Sequence, residues 1–86
     1  MKGKVRVVLY TKEGCGLCQE MKEAMRSAGV EQLYTLEEVD ILKDADLFAR
    51  YRYEIPVLTI NGRDAFRYRL SAEDFRRAIQ KISDEN

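Results

Sequence analysis

The sequence predicts an α/β domain in which helices flank a four-stranded mixed sheet, with the element order βαβαββα. Two observations support this prediction. Short β-branched and apolar runs alternate with stretches of helical periodicity, which is typical of strands joined by helical crossovers. The dipeptide Asn61-Gly62 then separates the last two strand-like runs, and it is the strongest short-range signal for a hairpin. We therefore expect parallel strands with right-handed crossovers, plus one antiparallel edge strand.

The first strand and the first helix lie on either side of a short loop. The strand covers Lys4–Tyr10, and its Val7-Val8-Leu9 run is typical of a strand that is buried on both faces. The helix runs from about Cys15 to Ala28, because apolar side chains recur there at helical spacing. Gly29 is expected to end it in the left-handed conformation, which glycine adopts readily.

The middle of the chain contains two strands around a short helix. The second strand is placed at Thr35–Asp40, although Leu36 is out of phase with the apolar residues that follow it. The helix covers Asp44–Tyr51, with acidic residues in its first turn as the helix dipole favours. Pro56, the only proline, opens the third strand at Val57–Ile60.

The last third of the chain predicts a returning strand and a final helix. The strand covers Arg63–Arg69, and alternation places Phe66 and Tyr68 inward. Ser71 caps the final helix, because a serine precedes an acidic residue by three positions there. The 86 residues make a single domain, 1–86, whose tail is polar from about residue 83.

Composition excludes several classes of function. Fifteen basic and fifteen acidic residues give no net charge, which argues against nucleic-acid binding or membrane-surface binding by bulk electrostatics. No apolar run approaches the roughly 20 residues of a membrane span, and the start of the chain lacks the apolar core of a signal peptide. We therefore expect a cytoplasmic monomer, in a compartment where structural disulfides are rare.

Cys15 and Cys18 are the only cysteines, and they lie where the first strand gives way to the first helix. Unpaired N–H groups and the helix dipole stabilise a thiolate there, and such positions lower the pKa of a thiol from about 8.5 to roughly 3.5–7.5. A thiolate can attack a substrate disulfide, and a second thiol can then resolve the mixed disulfide. The spacing therefore predicts reversible thiol–disulfide chemistry.

Other uses of the cysteine pair stay open at this point. A structural disulfide would close a very short loop and contribute little by chain entropy. Two cysteines without histidine cannot complete the four ligands of a structural zinc site in one chain. A metal or iron–sulfur carrier could nevertheless use both thiols in a dimer that shares a cluster. A redox-responsive interaction module with little turnover is a further alternative.

Four segments together resemble the thioredoxin fold, and the glutaredoxins within it most closely. They are Tyr10-Thr11-Lys12, Cys15-Gly16-Leu17-Cys18, Ile55-Pro56-Val57-Leu58 and Asn61-Gly62. The chain is also similar to small bacterial glutaredoxin-like domains, and the resemblance covers nearly its whole length. The combination of a CxxC motif after the first strand and Ile-Pro at the third strand is much more specific than the CxxC motif alone.

The resemblance implies a role for five residues. Cys15 would be the exposed nucleophile and Cys18 the more buried resolving thiol. Pro56 would follow a cis peptide bond beside the dithiol, and the backbone of Ile55 would pair with an extended substrate. Lys12 matches a lysine that in glutaredoxins helps to hold the thiolate and the glutathione carboxylate.

The chain also departs from the glutaredoxin pattern. Its inner dipeptide is Gly16-Leu17, and Glu54-Ile55 stands where glutaredoxins have Thr-Val before the proline. The Gly-Gly and following Asp that bind glutathione are absent, so the glutathione-binding motif is incomplete. We expect no bound cofactor, with protein or small-molecule disulfides as substrates. Glutathione or a thioredoxin reductase-like enzyme would serve as reductant.

Overall fold

The computed structural model describes residues 3–85 and contains the predicted elements in the predicted order. They are β1 (Val5–Thr11), α1 (Gly16–Ser27), β2 (Tyr34–Asp40), α2 (Ala45–Tyr51), β3 (Val57–Ile60), β4 (Arg63–Arg67) and α3 (Ala72–Glu85). Short 3₁₀ helices at Glu31–Leu33 and Ile41–Lys43 lie before and after β2. The predicted α/β class and the element order are therefore confirmed.

The four strands form one mixed sheet in the order β2-β1-β3-β4. β1 pairs in parallel with β2, so that Thr11 lies opposite Asp40. On its other side β1 pairs antiparallel with β3, and Tyr10 lies opposite Val57. β4 is the antiparallel edge strand that the hairpin predicts, because Asn61 and Gly62 both have the positive φ that a tight two-residue turn requires.

The expectation that β3 runs parallel to β1 is wrong. A parallel crossover must carry the chain back along the whole sheet. α2 has seven residues and spans about 10 Å, whereas the seven residues of β2 span roughly 23 Å. The chain therefore stays at the end of the sheet where β2 finishes, and β3 starts there in the opposite direction.

Helices cover the two faces of the sheet unequally. On one face, α1 and α3 pack against β1 and β3, and the main cluster of buried side chains includes Val7, Met25 and Phe75. On the other face, α2 covers a smaller cluster at one end of the sheet. β1 is therefore fully buried on one face only, and not on both faces as expected. Val8, on its other face, is half-buried. Leu36, the residue out of phase in β2, is 41% exposed.

A side-chain cap begins each of the second and third α-helices. The serine cap of α3 is as predicted, whereas Asp44, which was expected inside the first turn of α2, is its N-cap and the helix begins at Ala45. Asp44 Oδ1 accepts hydrogen bonds from the N–H groups of Asp46 and Leu47, at 2.9 and 3.1 Å. Ser71 Oγ accepts one from the N–H of Asp74 at 3.0 Å. These bonds satisfy backbone donors that the first turn of a helix leaves unpaired. Gly29 has a φ of 72°, the left-handed conformation expected after α1.

Two predictions near the end of the chain need correction. β4 ends at Arg67, and Tyr68 points outward with 47% of its surface exposed, because its φ of 65° breaks the strand alternation. The polar tail predicted from about residue 83 is helical through Glu85, since neither glycine nor proline interrupts it. Asn86 lies outside the described residues. No helix within residues 3–85 is long and apolar enough to span a membrane.

Candidate functional site

Cys15 occupies the N-cap position of α1. Its backbone is extended, with φ −92° and ψ 106°, and helical geometry begins at the next residue. The Cys15 Sγ accepts a hydrogen bond from the N–H of Cys18 at 3.2 Å, so the sulfur atom takes the place of the oxygen in a serine or aspartate cap. Cys15 is half-buried, which leaves part of its side chain open to solvent.

Cys18 lies within the first turn of α1 and faces the protein interior. Only 1% of its surface is exposed, and it packs in the apolar cluster under α2. The two sulfur atoms lie at disulfide-bonding distance, with the Cα atoms 5.3 Å apart. An attacking reagent can therefore reach Cys15 more easily than Cys18.

The segment Ile55–Val57 lies beside the cysteines. Ile55 and Val57 belong to the same buried cluster as Cys18, and Cys15 packs against that cluster. The Ile55–Pro56 peptide bond is cis, and Pro56 is fully buried. The fold produces this proximity because Val57 begins β3 opposite Tyr10, at the end of β1 from which the chain proceeds to the cysteines.

Backbone hydrogen bonds fix this segment. The N–H of Ile55 donates to the carbonyl oxygen of Tyr51 at 3.1 Å, and the carbonyl oxygen of Pro56 accepts from the N–H of Tyr68 at 2.9 Å. No described residue donates a hydrogen bond to the carbonyl oxygen of Ile55. Within residues 3–85, the Ile55 carbonyl oxygen therefore has no intramolecular hydrogen-bond donor.

Lys12 lies in a different environment from the other predicted site residues. It is exposed in the loop before Cys15 and lines a shallow cleft with Lys22, Glu38 and Asp40. Lys22 Nζ forms an ion pair with Glu38 Oε1 at 3.0 Å in that cleft. The structure therefore brings together Cys15, Cys18, Ile55 and Pro56, and it leaves Lys12 outside their apolar cluster.

The sequence does not reveal the aromatic pair next to the cysteines. The rings of Tyr10 and Tyr51 stack with their centroids 4.6 Å apart, joining the end of β1 to α2. Burial raises the pKa of the Tyr51 phenol, and the Asp64 carboxylate raises it further. Tyr10 follows the apolar run of β1 and Tyr51 is the last residue of α2, and only the tertiary fold places one against the other.

An ion-pair network lies on the exposed side of the proline segment. Arg67 is exposed and contacts both Glu54 and Asp64, and its Nη2 lies 2.7 Å from Asp64 Oδ2. The hydrogen bond to Asp64 raises the pKa of the Arg67 guanidinium. Within residues 3–85, no group of three or more His, Cys, Asp or Glu side chains is arranged to hold a metal ion. The site consists of the disulfide-bonded cysteine pair beside the segment Ile55–Val57.

Solved structures resemble this fold over most of the chain. A structural-genomics target protein from X. campestris matches with a TM-score of 0.75 and 28% identity, over 87% of this chain and 96% of its own. A thioredoxin from Halobacterium salinarum matches with a TM-score of 0.68, over 94% of this chain and 76% of its own. Its 14% identity supports a shared fold only. The fold is therefore thioredoxin-like.

Sequence comparisons identify the family more narrowly. The Glutaredoxin-like protein YDR286C homolog of Dictyostelium discoideum is 29% identical over 75 residues, which are 80% of this chain and 69% of that protein. The model of the family described as Glutaredoxin-like domain (DUF836) matches residues 6–80. That match includes both cysteines and the Ile55–Pro56 segment. The chain therefore belongs to the glutaredoxin-like domain family (DUF836), within the thioredoxin-fold superfamily.

Proposed function

We propose that this protein is a thiol–disulfide oxidoreductase that reduces or exchanges disulfides through Cys15 and Cys18. The observation that carries this proposal is the arrangement of the pair: a half-buried cysteine caps α1, and its sulfur lies at bonding distance from a buried one. Family membership and the thioredoxin-like fold support the same chemistry. The unequal burial supports Cys15 as the nucleophile and Cys18 as the resolving thiol.

The proposed reaction has two exchange steps. The Cys15 thiolate attacks one sulfur of the substrate disulfide, forms a mixed disulfide, and releases the other substrate sulfur as a thiolate, which takes up a proton. Cys18 loses its proton to solvent, attacks the Cys15 sulfur, and releases the second substrate thiol. The substrate gains two electrons and two protons, and the protein becomes the Cys15–Cys18 disulfide. A dithiol or two monothiols must then reduce the protein.

Lys12, Ile55 and Pro56 complete the proposed site. The Ile55 carbonyl would accept a hydrogen bond from an extended substrate, with Pro56 as the wall beside the dithiol. Lys12 would act through its charge rather than through contact, because it lies outside the cysteine cluster. Protein and small-molecule disulfides are the proposed substrates, and glutathione or a reductase is the proposed reductant. A reducing cytoplasmic setting and a monomeric state belong to the same proposal.

Substitution of each cysteine tests the mechanism. We expect Cys15→Ser to reduce the rate of hydroxyethyl disulfide reduction, with dithiothreitol as reductant, to the uncatalysed background. Cys18→Ser should still form a mixed disulfide at Cys15, which intact-protein mass spectrometry detects, but should not release it by itself. Activity that survives Cys15→Ser would show that the proposed nucleophile is wrong.

The wild-type protein, purified without oxygen, tests the alternative of a metal or iron–sulfur carrier. Such a site needs about four protein or cofactor ligands, so the two thiols would require a second chain or another ligand. Protein purified without oxygen should contain no stoichiometric iron or zinc and should run as a monomer on gel filtration. A dimer with bound iron, visible absorbance and no disulfide-reductase activity would favour the carrier function instead.

A further inference from the structure

Tyr68 adopts a backbone conformation that is unusual for its residue type. Besides glycines, only Asn61 and Tyr68 among residues 3–85 have a positive φ, 50° and 65°. Asn61 lies in the hairpin turn, where asparagine is common. A bulky aromatic residue rarely adopts this region, and such residues persist only where the surrounding structure holds them. The position of Tyr68 therefore calls for a physical explanation.

Three hydrogen bonds hold Tyr68 in place. Its N–H donates to the carbonyl oxygen of Pro56 at 2.9 Å, and its hydroxyl donates to the carbonyl oxygen of Tyr53 at 3.2 Å. The N–H of Arg69 donates to the carbonyl oxygen of Arg67 at 2.6 Å, which closes a γ-turn around Tyr68. The turn thus attaches Tyr68 directly to the proline of the proposed site.

Core packing does not account for the ring of Tyr68. The side chain is 47% exposed, and Tyr53, to which it is bonded, is 77% exposed. Glycine at position 68 would adopt the same φ without strain and keep both backbone hydrogen bonds. The turn at position 68 therefore does not require an aromatic ring.

The location of the ring suggests what it contacts. Tyr68 lines a cleft of about 470 Å³ with Met21 of α1 and Arg69, Leu70 and Ser71 before α3. Met21 follows Cys18 by one helical turn, and Pro56 is bonded to the N–H of Tyr68. A polypeptide held at the Ile55 carbonyl would pass this ring. Exposed tyrosines are suited to such contacts, because they offer apolar area with few rotatable bonds.

We propose that Tyr68 is a specificity-determining residue for polypeptide disulfides, and that it favours substrates with an aromatic or large apolar residue next to the reacting cysteine. This proposal rests on the proposed oxidoreductase function. The chemical steps are those given above. Tyr68 contributes only to binding of the segment that carries the disulfide, through contact of its ring with the neighbouring side chain of the substrate.

Two variants separate the ring from the turn. Tyr68→Gly removes the ring and suits the positive φ, so it should fold with unchanged or higher stability. Tyr68→Phe keeps the ring and loses only the hydroxyl bond to Tyr53. The substrates are two peptides that differ only in Phe or Gly on both sides of one cysteine, each joined by a disulfide to thionitrobenzoate. Hydroxyethyl disulfide serves as the small substrate without side chains.

We expect the wild-type protein to prefer the Phe peptide by about three- to tenfold in kcat/KM, the size of one aromatic contact. Tyr68→Phe should keep this preference. Tyr68→Gly should abolish it through a higher KM for the Phe peptide, with no change in the rate for hydroxyethyl disulfide.

Three results would overturn the assignment of Tyr68. They are equal reactivity of the two peptides in the wild type, a preference that survives Tyr68→Gly, and an equal loss on all three substrates. The last result would indicate a structural role for the residue. If the proposed oxidoreductase function itself is wrong, the wild-type protein will reduce none of the substrates, hydroxyethyl disulfide included. This result differs from the three results above.

Discussion

The structural role of Cys15 as a helix cap coincides with the chemical role that we propose for it. As N-cap of α1, it places its sulfur where the N–H of Cys18 donates a hydrogen bond to it. In the reduced protein, the same donor and the helix dipole would stabilise a thiolate, whereas the buried Cys18 lacks solvent around its sulfur. We therefore expect these two chemically identical residues to differ in reactivity, because their positions three residues apart on one helix give their sulfur atoms different surroundings.

Lys12 should modulate the reactivity of Cys15 through its charge. We expect Lys12→Gln to raise the pKa of the Cys15 thiol by a few tenths of a unit, because an exposed charge at the surface contributes only about 0.5 kcal/mol. The measurement is thiolate absorbance against pH on reduced protein, with and without glutathione. High salt should reduce the difference between the variant and the wild type.

Lys22→Gln is the matched control for Lys12. Lys22 lines the same cleft, but it is paired with Glu38 and lies further along α1. Its substitution should shift the thiol titration less than Lys12→Gln does. Equal shifts in the two variants would mean that the cleft as a whole, and not Lys12, influences the thiol.

Among the elements, α2 depends most on its surroundings. Seven residues are too few for a helix to be stable by itself in water. Asp44 caps its first turn, and Tyr51 anchors its last turn by stacking on Tyr10. Because α2 covers the cluster that contains Cys18, the stability of this helix also determines how well the Cys18 sulfur is shielded from solvent.

The cap of α2 predicts a measurable loss of stability. Asp44→Ala removes the acceptor of two backbone hydrogen bonds and should lower the free energy of unfolding by about 1 kcal/mol. Asp44→Asn keeps an oxygen acceptor without the charge and should recover most of that loss. Urea unfolding of the oxidised protein measures both changes. A similar loss in both variants would indicate that the charge, rather than the cap, stabilises the helix.

At the scale of the whole molecule, the antiparallel pairing of β1 and β3 assembles the site. β1 leads toward Cys15, and β3 begins next to Pro56, so the two segments meet at one end of the sheet. Forty-five residues of sequence lie between the end of β1 at Thr11 and the start of β3 at Val57, but the sheet makes Tyr10 and Val57 neighbours. A parallel β3 would have placed the proline at the opposite end, away from the dithiol.

Buried tyrosines predict how the stability of the whole fold depends on pH. Burial raises the pKa values of Tyr34 and Tyr51 above the ordinary value of 10.0, so these phenols ionise first in the unfolded chain. Below about pH 10 both are neutral in either state, and their contribution is fully present. At higher pH the unfolded state binds fewer protons, and the free energy of unfolding should fall until the folded-state pKa values are passed.

Tyr51→Phe measures how much of this loss of stability at alkaline pH comes from Tyr51. In urea unfolding of the oxidised protein between pH 8 and 11, we expect the stability of the variant to fall less steeply above pH 10 than that of the wild type. Tyr53→Phe, which removes a hydroxyl from an exposed side chain, is the control. Stability that rises with pH above 10 in the wild type would contradict the sign of the effect.

Much of this architecture follows from local sequence signals. Apolar periodicity located the helices, Asn61-Gly62 located the hairpin, and Asp44 and Ser71 marked helix starts, because each of these features acts within a few residues. The candidate site was also predictable, since Cys15 and Cys18 share one turn of helix. The alternation rule failed at Tyr68, where bonds to Pro56 and Tyr53 outweigh the preference for continuing the strand.

The sequence by itself determined the order of elements, the pairing of the two cysteines and their place at a helix start. Only the tertiary structure decided the antiparallel direction of β3, the stacking of Tyr10 on Tyr51 and the outward turn of Tyr68. The physical reason is the distance along the chain over which each interaction acts. Helix periods, caps and tight turns depend on neighbours along the chain, whereas strand direction and aromatic contacts depend on where a short connection such as α2 allows distant segments to meet.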